Sequence, residues 1–347
     1  MRIRRKFPVI VAVIAVAVAV VFLVFLHKHA PPEPARLLPG ADGFLYVNLQ
    51  WLRRADVAAN LPSVPHDPEY EQFIQATGFQ FERDLDQAAF AIHYPQGGPK
   101  QNATPEQPRF SEVFVGHIDG ERLTAYLRKL ASSVDNYRSV DIYNIPIEGR
   151  IVRVAILGVD TVAVSNHNDP QVIRGIVDRS RKLASPFGGP SFLRQYYKDV
   201  PFASLAWTIF KVRPNSESLP VPLEMSFLFP KPAVLVGSVR YLGKIHFRAE
   251  AFTGSDEQAQ QVTDKVSTFL SLFHSAEVSV APGPADPDMK QFLDSLKVER
   301  HGARAVLTTI VPTALIRKVL AESPAELAPA PAPEPQPVPA PRKKQKK

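Results

Sequence analysis

The chain contains no cysteine among its 347 residues, and this absence excludes several classes of protein. Without thiols there can be no disulfide framework, thiolate metal site, cysteine nucleophile or lipidated cysteine. The motifs GxSxG, SxxK, HExxH, GxxxxGK(S/T) and GxGxxG are missing as well, so the sequence assigns no catalytic residue, cofactor site or metal site. Charged residues are few, at 22%, which leaves enough aliphatic sequence to bury a core.

The excess positive charge is confined to the two ends of the chain. Residues 1–30 carry five cations and no acid, and residues 324–347 carry five cations and two acids. The remaining residues, 31–323, hold 31 cations and 32 acids, so this part is close to neutral. Because nucleic-acid binding requires clustered Lys and Arg, a nucleic-acid partner is disfavoured.

A long apolar run occupies residues 7–26, FPVIVAVIAVAVAVVFLVFL, without a charged residue. At about 1.5 Å per residue this run would span roughly 30 Å, the thickness of a hydrocarbon core. A secretory signal peptide has a shorter apolar region and a small-x-small cleavage site, which is missing here. We therefore predict an uncleaved signal anchor in the inner (cytoplasmic) membrane, with the lipid bilayer as the partner of this helix.

The flanking charges predict the orientation of that anchor. Four cations lie within residues 1–6, which places this flank in the cytoplasm by the positive-inside rule. The rest of the chain should then be periplasmic or extracellular.

Two proline-rich segments flank the exported part. Residues 27–36 include APPEPAR and predict a stiff, extended spacer of polyproline II type. Residues 324–347 alternate Pro with Ala and end in a basic cluster, and we expect a disordered tail. This cluster is a candidate for binding an anionic surface, an envelope polymer or an envelope protein, and the alternative is a solubilising end without a partner. It consists of Arg342, Lys343, Lys344, Lys346 and Lys347.

Helix starts recur in the body of the chain. An aspartate that can cap a helix precedes a proline at three places, and two further starts lack the proline. The three are Asp67-Pro68, Asp169-Pro170 and Asp286-Pro287, and the other two are Asp119 and the capping box Ser255–Gln258.

Strand candidates are short and rich in β-branched and aromatic residues. Lys244–Phe252 alternates apolar and polar positions, which favours an antiparallel sheet, and Gly243 predicts a hairpin with the strand before it. The other candidates are 44–49, 88–94, 112–118, 140–145, 151–157, 161–165, 202–210, 233–242 and 303–311.

The mixture of elements predicts an α+β fold built mainly on antiparallel sheet. Strand, turn and helix follow one another in 112–130 and again in 246–270. This repetition indicates two related halves, 37–187 and 188–323.

Two polar clusters are weighed as functional sites. His117, Asp119 and Glu121 alternate at a strand end and could place a base beside carboxylates, but a helix cap and solvated side chains explain them better. The acids Glu82, Asp84 and Asp86 could bind calcium, yet the glycine and terminal glutamate of an EF-hand loop are missing. A solvated connection between helix and strand is favoured there.

The segment 220–232, PVPLEMSFLFPKP, places apolar side chains between prolines. An exposed surface that touches lipid or a partner is one interpretation. Burial against the sheet is favoured because Met and Phe usually lie inside.

Several short motifs resemble those of uncharacterised bacterial envelope proteins with a membrane anchor and a domain of unknown function. They are Leu38-Pro39-Gly40-Ala41-Asp42, Thr77-Gly78-Phe79, Arg83-Asp84-Leu85-Asp86, and Asp199-Val200-Pro201 before Trp207. The resemblance covers roughly residues 37–210 and implies a bacterial envelope protein, without an active site to transfer.

The function predicted from the sequence is that of a non-catalytic, membrane-anchored binding or scaffold protein in the bacterial envelope. The alternative is an envelope hydrolase whose site is assembled from loops. That alternative requires a deep polar cleft with a nucleophile and a base within hydrogen-bond reach.

Overall fold

The computed structural model describes residues 30–54, 66–94, 108–181, 188–213, 228–280, 287–315 and 318. The apolar run at 7–26, the tail at 324–347 and most of the segment 220–232 lie outside these residues. In the part of the chain that is described, no helix is both long enough and apolar enough to cross a membrane.

Twelve strands of the described residues form one sheet in which every neighbouring pair is antiparallel. The order across the sheet is β11-β12-β10-β9-β8-β1-β2-β3-β7-β6-β5-β4. The predicted α+β fold with a mainly antiparallel sheet is therefore confirmed. The strands are β1 Gly43–Asn48, β2 Leu85–His93, β3 Arg109–Gly116, β4 Ser133–Tyr137, β5 Val140–Ile147, β6 Arg150–Ile156, β7 Thr161–Ser165, β8 Ala206–Val212, β9 Ala233–Tyr241, β10 Ile245–Phe252, β11 Lys297–His301 and β12 Arg304–Val311.

Helices cover both faces of this sheet. The largest apolar cluster lies on one face and includes buried side chains of α1, α6 and α7. The helices α5 and α8 contribute to separate clusters, which contain the side chains that several of the same strands present to the other face. The helices are α1 Glu33–Leu37, α2 Leu49–Arg54, α3 Pro68–Thr77, α4 Phe81–Asp84, α5 Gly120–Leu130, α6 Gln171–Arg181, α7 Ser191–Tyr197, α8 Asp256–Val280 and α9 Pro287–Ser295.

The aspartate caps form as the sequence predicts. The carboxylate of Asp67 accepts a hydrogen bond from the Tyr70 backbone N–H at 2.7 Å, and Asp119 and Asp169 cap α5 and α6 in the same way. Ser255 accepts from the Gln258 N–H at 3.3 Å at the start of α8. Asp286 lies outside the described residues. Each bond satisfies a backbone donor that the first turn of a helix leaves free.

The prediction of an extended spacer is wrong for its last residues. Glu33–Leu37 forms the short helix α1, in which Ala35 and Leu37 are buried. Proline is compatible with the first turn of a helix, because the backbone N–H that it lacks has no partner there. Burial of the two apolar side chains against the sheet then favours the helix over polyproline II.

Strand predictions were incomplete at three places. The strand predicted from 202 begins only at Ala206, because 200–205 form a turn. The edge strands β4 and β11 were not predicted, since both are short, polar and mostly exposed. An edge strand of this kind lacks the alternating apolar pattern on which the prediction depends.

The element order repeats across the sheet. In each half, two paired strands are followed by a helix and later by a hairpin. The second strand of the hairpin lies beside the second of the first two strands. The elements are β2-β3, α5 and β6-β7 in the first half, and β9-β10, α8 and β11-β12 in the second half. The strands β4 and β5 are additional in the first half. Pairing of β1 with β8 joins both sets into one sheet. Division of the chain into two related domains stays a prediction.

Candidate functional site

A stacked pair of aromatic rings lies where β1 meets β8. The register of the two strands places Tyr46 directly opposite Trp207, and their rings stack with centroids 5.5 Å apart. Tyr197 from α7 meets the Trp207 indole edge-on at 5.3 Å. These contacts arise because residues at alternate positions of a strand face the same side of the sheet.

These rings line a cavity of about 700 Å³ at one end of the central strands. Six of its lining residues are aromatic, and the α7–β8 turn forms one wall. The lining residues are Pro32, Tyr46, Asn48, Trp51, Tyr197, Lys198, Asp199, Val200, Pro201, Phe202, Ala203, Ser204, Leu205, Trp207 and Tyr241. This volume lies in the range of small-molecule sites, which are mostly apolar with a few polar groups.

Two polar atoms in the wall of the cavity are buried without a hydrogen-bond partner among the described residues. They are the indole Nε1 of Trp207, a donor, and Oδ2 of Asp199, an acceptor. The Trp207 side chain is only 2% exposed, so water does not solvate its N–H from the surface. A buried donor without a partner costs about 1–3 kcal/mol. The N–H is closed to water in this conformation, so a bound molecule with an acceptor atom would recover this free energy once the cavity wall opens to it.

Asp199 is held in place from the opposite direction. Its Oδ1 accepts a hydrogen bond from the Arg304 guanidinium at 2.9 Å, and the same guanidinium lies 3.5 Å from Glu250. Arg304 also lies over the Phe252 ring at 4.4 Å. The cavity wall is thus tied to β12, while the second carboxylate oxygen of Asp199 is left for another partner.

Two of the three tyrosines that line the cavity, Tyr46 and Tyr197, are neutral phenols at physiological pH. Burial raises the pKa of Tyr197 to about 12, and burial raises the pKa of Tyr46 further. The Tyr46 hydroxyl donates to Oε1 of Gln87 at 2.9 Å. The aromatic rings in this part of the cavity wall are therefore uncharged.

A second cavity, of about 590 Å³, tests the alternative of a loop-assembled enzyme. It is lined by His93 and His167, whose rings lie 5.0 Å apart. His93 Nε2 lies 3.2 Å from the Ser111 hydroxyl, which in turn lies 3.0 Å from that of Ser165. A base and a hydroxyl are thus within hydrogen-bond reach, as a hydrolase would require.

The environment of these groups does not suit nucleophilic catalysis. Ser111 is 0% exposed and Ser165 is 1% exposed, so neither hydroxyl can reach a substrate in this conformation. Burial, together with the neighbouring His167, lowers the pKa of His93 to about 4. The network instead joins β2, β3 and β7 through buried polar groups that satisfy one another.

The carboxylates singled out in the sequence do not converge on one point. Asp84 accepts from Arg83 at 2.7 Å, Asp86 pairs with Arg53, and Glu82 accepts from Tyr70 at 2.8 Å. Among the described residues no group of three or more His, Asp or Glu side chains could hold a metal ion.

The alternating cluster at the end of β3 is also accounted for locally. His117 is largely exposed and lies 3.8 Å from Asp86, while Asp119 is engaged as the cap of α5. These contacts agree with the structural interpretation of the cluster.

The remaining sequence candidates are only partly described. Phe229, from the segment 220–232, is 3% exposed and packs with Val212 and Ala233, in agreement with burial at that position. Residues 214–227 and the basic cluster at 342–347 lie outside the described residues, so anionic-surface binding by the latter stays a prediction.

The aromatic cavity was missed by the sequence analysis. The sequence places Asp199 in a motif of the resemblance, Trp207 in the same motif and in a predicted strand, and Tyr46 in a predicted strand, and none of them is predicted to bind a ligand. The signal that could have helped is the rarity of tryptophan, with two in the whole chain, both of which line this cavity.

Comparisons with known proteins give a distant likeness. No family model and no curated protein matches the chain. Three solved structures of TP0453, in crystal forms III, I and IV, superpose with TM-scores of 0.45, 0.38 and 0.37 at 10%, 9% and 10% sequence identity. They cover 84%, 83% and 83% of this chain and 98%, 96% and 96% of the TP0453 chains.

Proposed function

We propose that this chain is a non-catalytic binding protein of the bacterial envelope, anchored by residues 7–26 and facing the periplasm or exterior, and that the aromatic cavity is its binding site. The buried, unpartnered Trp207 N–H is the observation that carries the second part of this proposal. The anchor is supported by the apolar run and the cations before it.

The lining of the cavity selects a class of ligand. Stacked Tyr46 and Trp207 favour a flat or apolar group, since aromatic surfaces gain most from such contacts. Trp207 Nε1 requires an acceptor, and Asp199 Oδ2 requires a donor. A neutral molecule that combines an apolar ring or chain with a hydroxyl or amide group meets these requirements.

Calorimetry with the full-length chain in lipid nanodiscs tests this proposal. The probe is 4-methoxyphenol, a neutral molecule that joins a flat ring to one hydroxyl donor and one ether acceptor, and the heats from empty nanodiscs are subtracted. We expect saturable binding of one probe per chain. Trp207→Phe should weaken it by about 2- to 13-fold, the loss of one hydrogen bond worth about 0.5–1.5 kcal/mol.

His93→Gln is the matched control, because His93 lines the second cavity and does not line the first. Its affinity for the probe should equal that of the wild type. Heats that do not saturate, or equal affinities in Trp207→Phe and the wild type, would contradict the assignment of the site.

A further inference from the structure

Three large apolar side chains are exposed at the end of the central strands where the aromatic cavity lies. Trp51 is 54% exposed, Phe202 is 64% exposed and Leu242 is 62% exposed. Trp51 and Phe202 line the cavity, and so does Tyr241, the residue before Leu242. We call these three side chains, Trp51, Phe202 and Leu242, the apolar rim. They come from α2, the α7–β8 turn and the β9–β10 turn.

The backbone fixes each member of the rim. Asn48 caps α2 by accepting from the Trp51 N–H at 3.0 Å. Phe202 precedes Ala203, whose φ of 58° is rare for a residue with a Cβ. Gly243, at φ 76°, closes the turn after Leu242. The backbone at each of the three positions is therefore held by a helix cap or a turn.

The chain enters the fold at this same place. Pro32 lines the aromatic cavity, and Leu26, the last residue of the apolar run, lies six positions earlier. A fully extended segment of that length reaches at most about 21 Å. If residues 7–26 cross a bilayer, Pro32 must lie within that distance of its hydrocarbon core, which brings the cavity toward the membrane surface.

We propose that the apolar rim inserts into the headgroup region of the bilayer that residues 7–26 cross, so that the aromatic cavity opens onto the membrane surface. This inference rests on the proposed membrane anchor. It assigns a lipid-contacting surface to the folded part of the chain, which the anchor alone does not require.

The chemistry of the surface suits this partner. Tryptophan is enriched at membrane interfaces, where its ring meets both apolar chains and water. Lys198 lines the cavity and is exposed, and Lys244 follows the β9–β10 turn and is also exposed. Cations beside an apolar surface favour phosphate headgroups, whereas a second copy of this chain would bring like charges together.

Fluorescence of the full-length chain in liposomes of brominated phosphatidylcholine tests the proposal. Trp51→Phe leaves Trp207 as the single tryptophan, and a new tryptophan can then be placed as a reporter. Leu242→Trp reports from the rim. Lys231→Trp is the matched control, because Lys231 is exposed beyond the other end of β9, about 36 Å away along the strand.

We expect bromine near the headgroup to reduce the Leu242→Trp emission by about twofold, because this side chain would lie about 5–10 Å into the interface. The Lys231→Trp emission should stay unchanged. Wild-type emission should also fall more than that of Trp51→Phe, which is a second readout should Leu242→Trp fail to fold.

Flotation with the liposomes after alkaline carbonate treatment is measured in parallel and reports on the anchor itself. Failure to float would overturn the anchor and the rim together. Flotation without bromine quenching at either rim position would overturn the rim alone. In that case the water-soluble quencher acrylamide shows what surrounds the rim. Strong quenching of the rim tryptophan would indicate contact with water, and weak quenching would indicate a protein surface that covers it.

Discussion

Trp207→Phe should leave the stability of the free protein almost unchanged, although Trp207 is one of the most deeply buried aromatic side chains described. The smaller ring buries roughly 40–50 Å² less apolar surface, which costs about 1 kcal/mol. Space of roughly 40 Å³ left in its place costs about 1 kcal/mol more. Against these losses, removal of a buried N–H that lacks a partner returns about 1–3 kcal/mol.

The expected change therefore lies between about 1 kcal/mol of destabilisation and about 1 kcal/mol of stabilisation. An indole whose N–H is hydrogen-bonded would instead lose that bond, for a total cost of about 3 kcal/mol. Urea unfolding of the full-length chain in nanodiscs, monitored by far-UV circular dichroism, distinguishes the two cases. Trp51→Phe is the matched control, since this exposed indole should give a change below about 0.5 kcal/mol.

A loss of about 3 kcal/mol in Trp207→Phe would refute the reasoning, because the N–H would then have a partner in the free protein. The assignment of the cavity as a binding site would lose its main support. If Trp207 served only in packing, Trp207→Phe would not weaken probe binding while leaving the free energy of unfolding nearly unchanged. That combination therefore supports the binding site.

Three further predictions concern the strand β3 and the wall of the cavity. Burial raises the pKa of Glu112 to about 7 from an ordinary 4.5, so the free energy of unfolding should fall by up to about 3 kcal/mol as the pH rises through that interval. In Glu112→Gln this fall should disappear, as measured by denaturant unfolding at pH 4 and pH 8. Gly116→Ala should destabilise by more than about 2 kcal/mol, because a Cβ there would lie 2.3 Å from the carbonyl oxygen of Asp84, whereas Gly120→Ala, with open space around it, should be neutral; equal Tm values would contradict the difference. Asp199→Asn and Arg304→Gln should be coupled by about 1–3 kcal/mol in a double-mutant cycle, and strict additivity would show that the pair does not stabilise the cavity wall.

The sequence predicted local structure best where one side chain decides it. The aspartate caps and the Gly243 turn depend on residues within four positions of each other, and their hydrogen bonds form as expected. The alternating pattern of Lys244–Phe252 likewise identified an antiparallel strand, β10. The wet face that this pattern predicts is only partly formed, because Glu250 on the polar side is 5% exposed.

Prediction failed where burial in the complete fold overrides local preference. The proline-rich residues before Leu37 favour polyproline II by themselves, but α1 forms because the apolar cluster buries Ala35 and Leu37. That cluster draws on β1, α6 and β8, which are distant in sequence. A single sequence does not show which distant segments will meet.

The aromatic cavity belongs to this second kind of feature. Tyr46 and Trp207 become neighbours only through the pairing of β1 with β8, and Pro32 reaches the same place only because α1 folds back onto the sheet. No local motif marks such a site, since each residue has an ordinary role in its own segment.

The position of the cavity follows from how the two sets of strands are joined. The strands β1 and β8 meet in the middle of the sheet, and one set of repeated elements lies on either side of them. The two sets are β2-β3, α5, β6-β7 and β9-β10, α8, β11-β12. At the strand ends of this junction the walls of the cavity come from the end of α7, the α7–β8 turn and residues of β1, β8 and β9. The site is thus a consequence of the sheet's construction, and both tryptophans of the sequence line it.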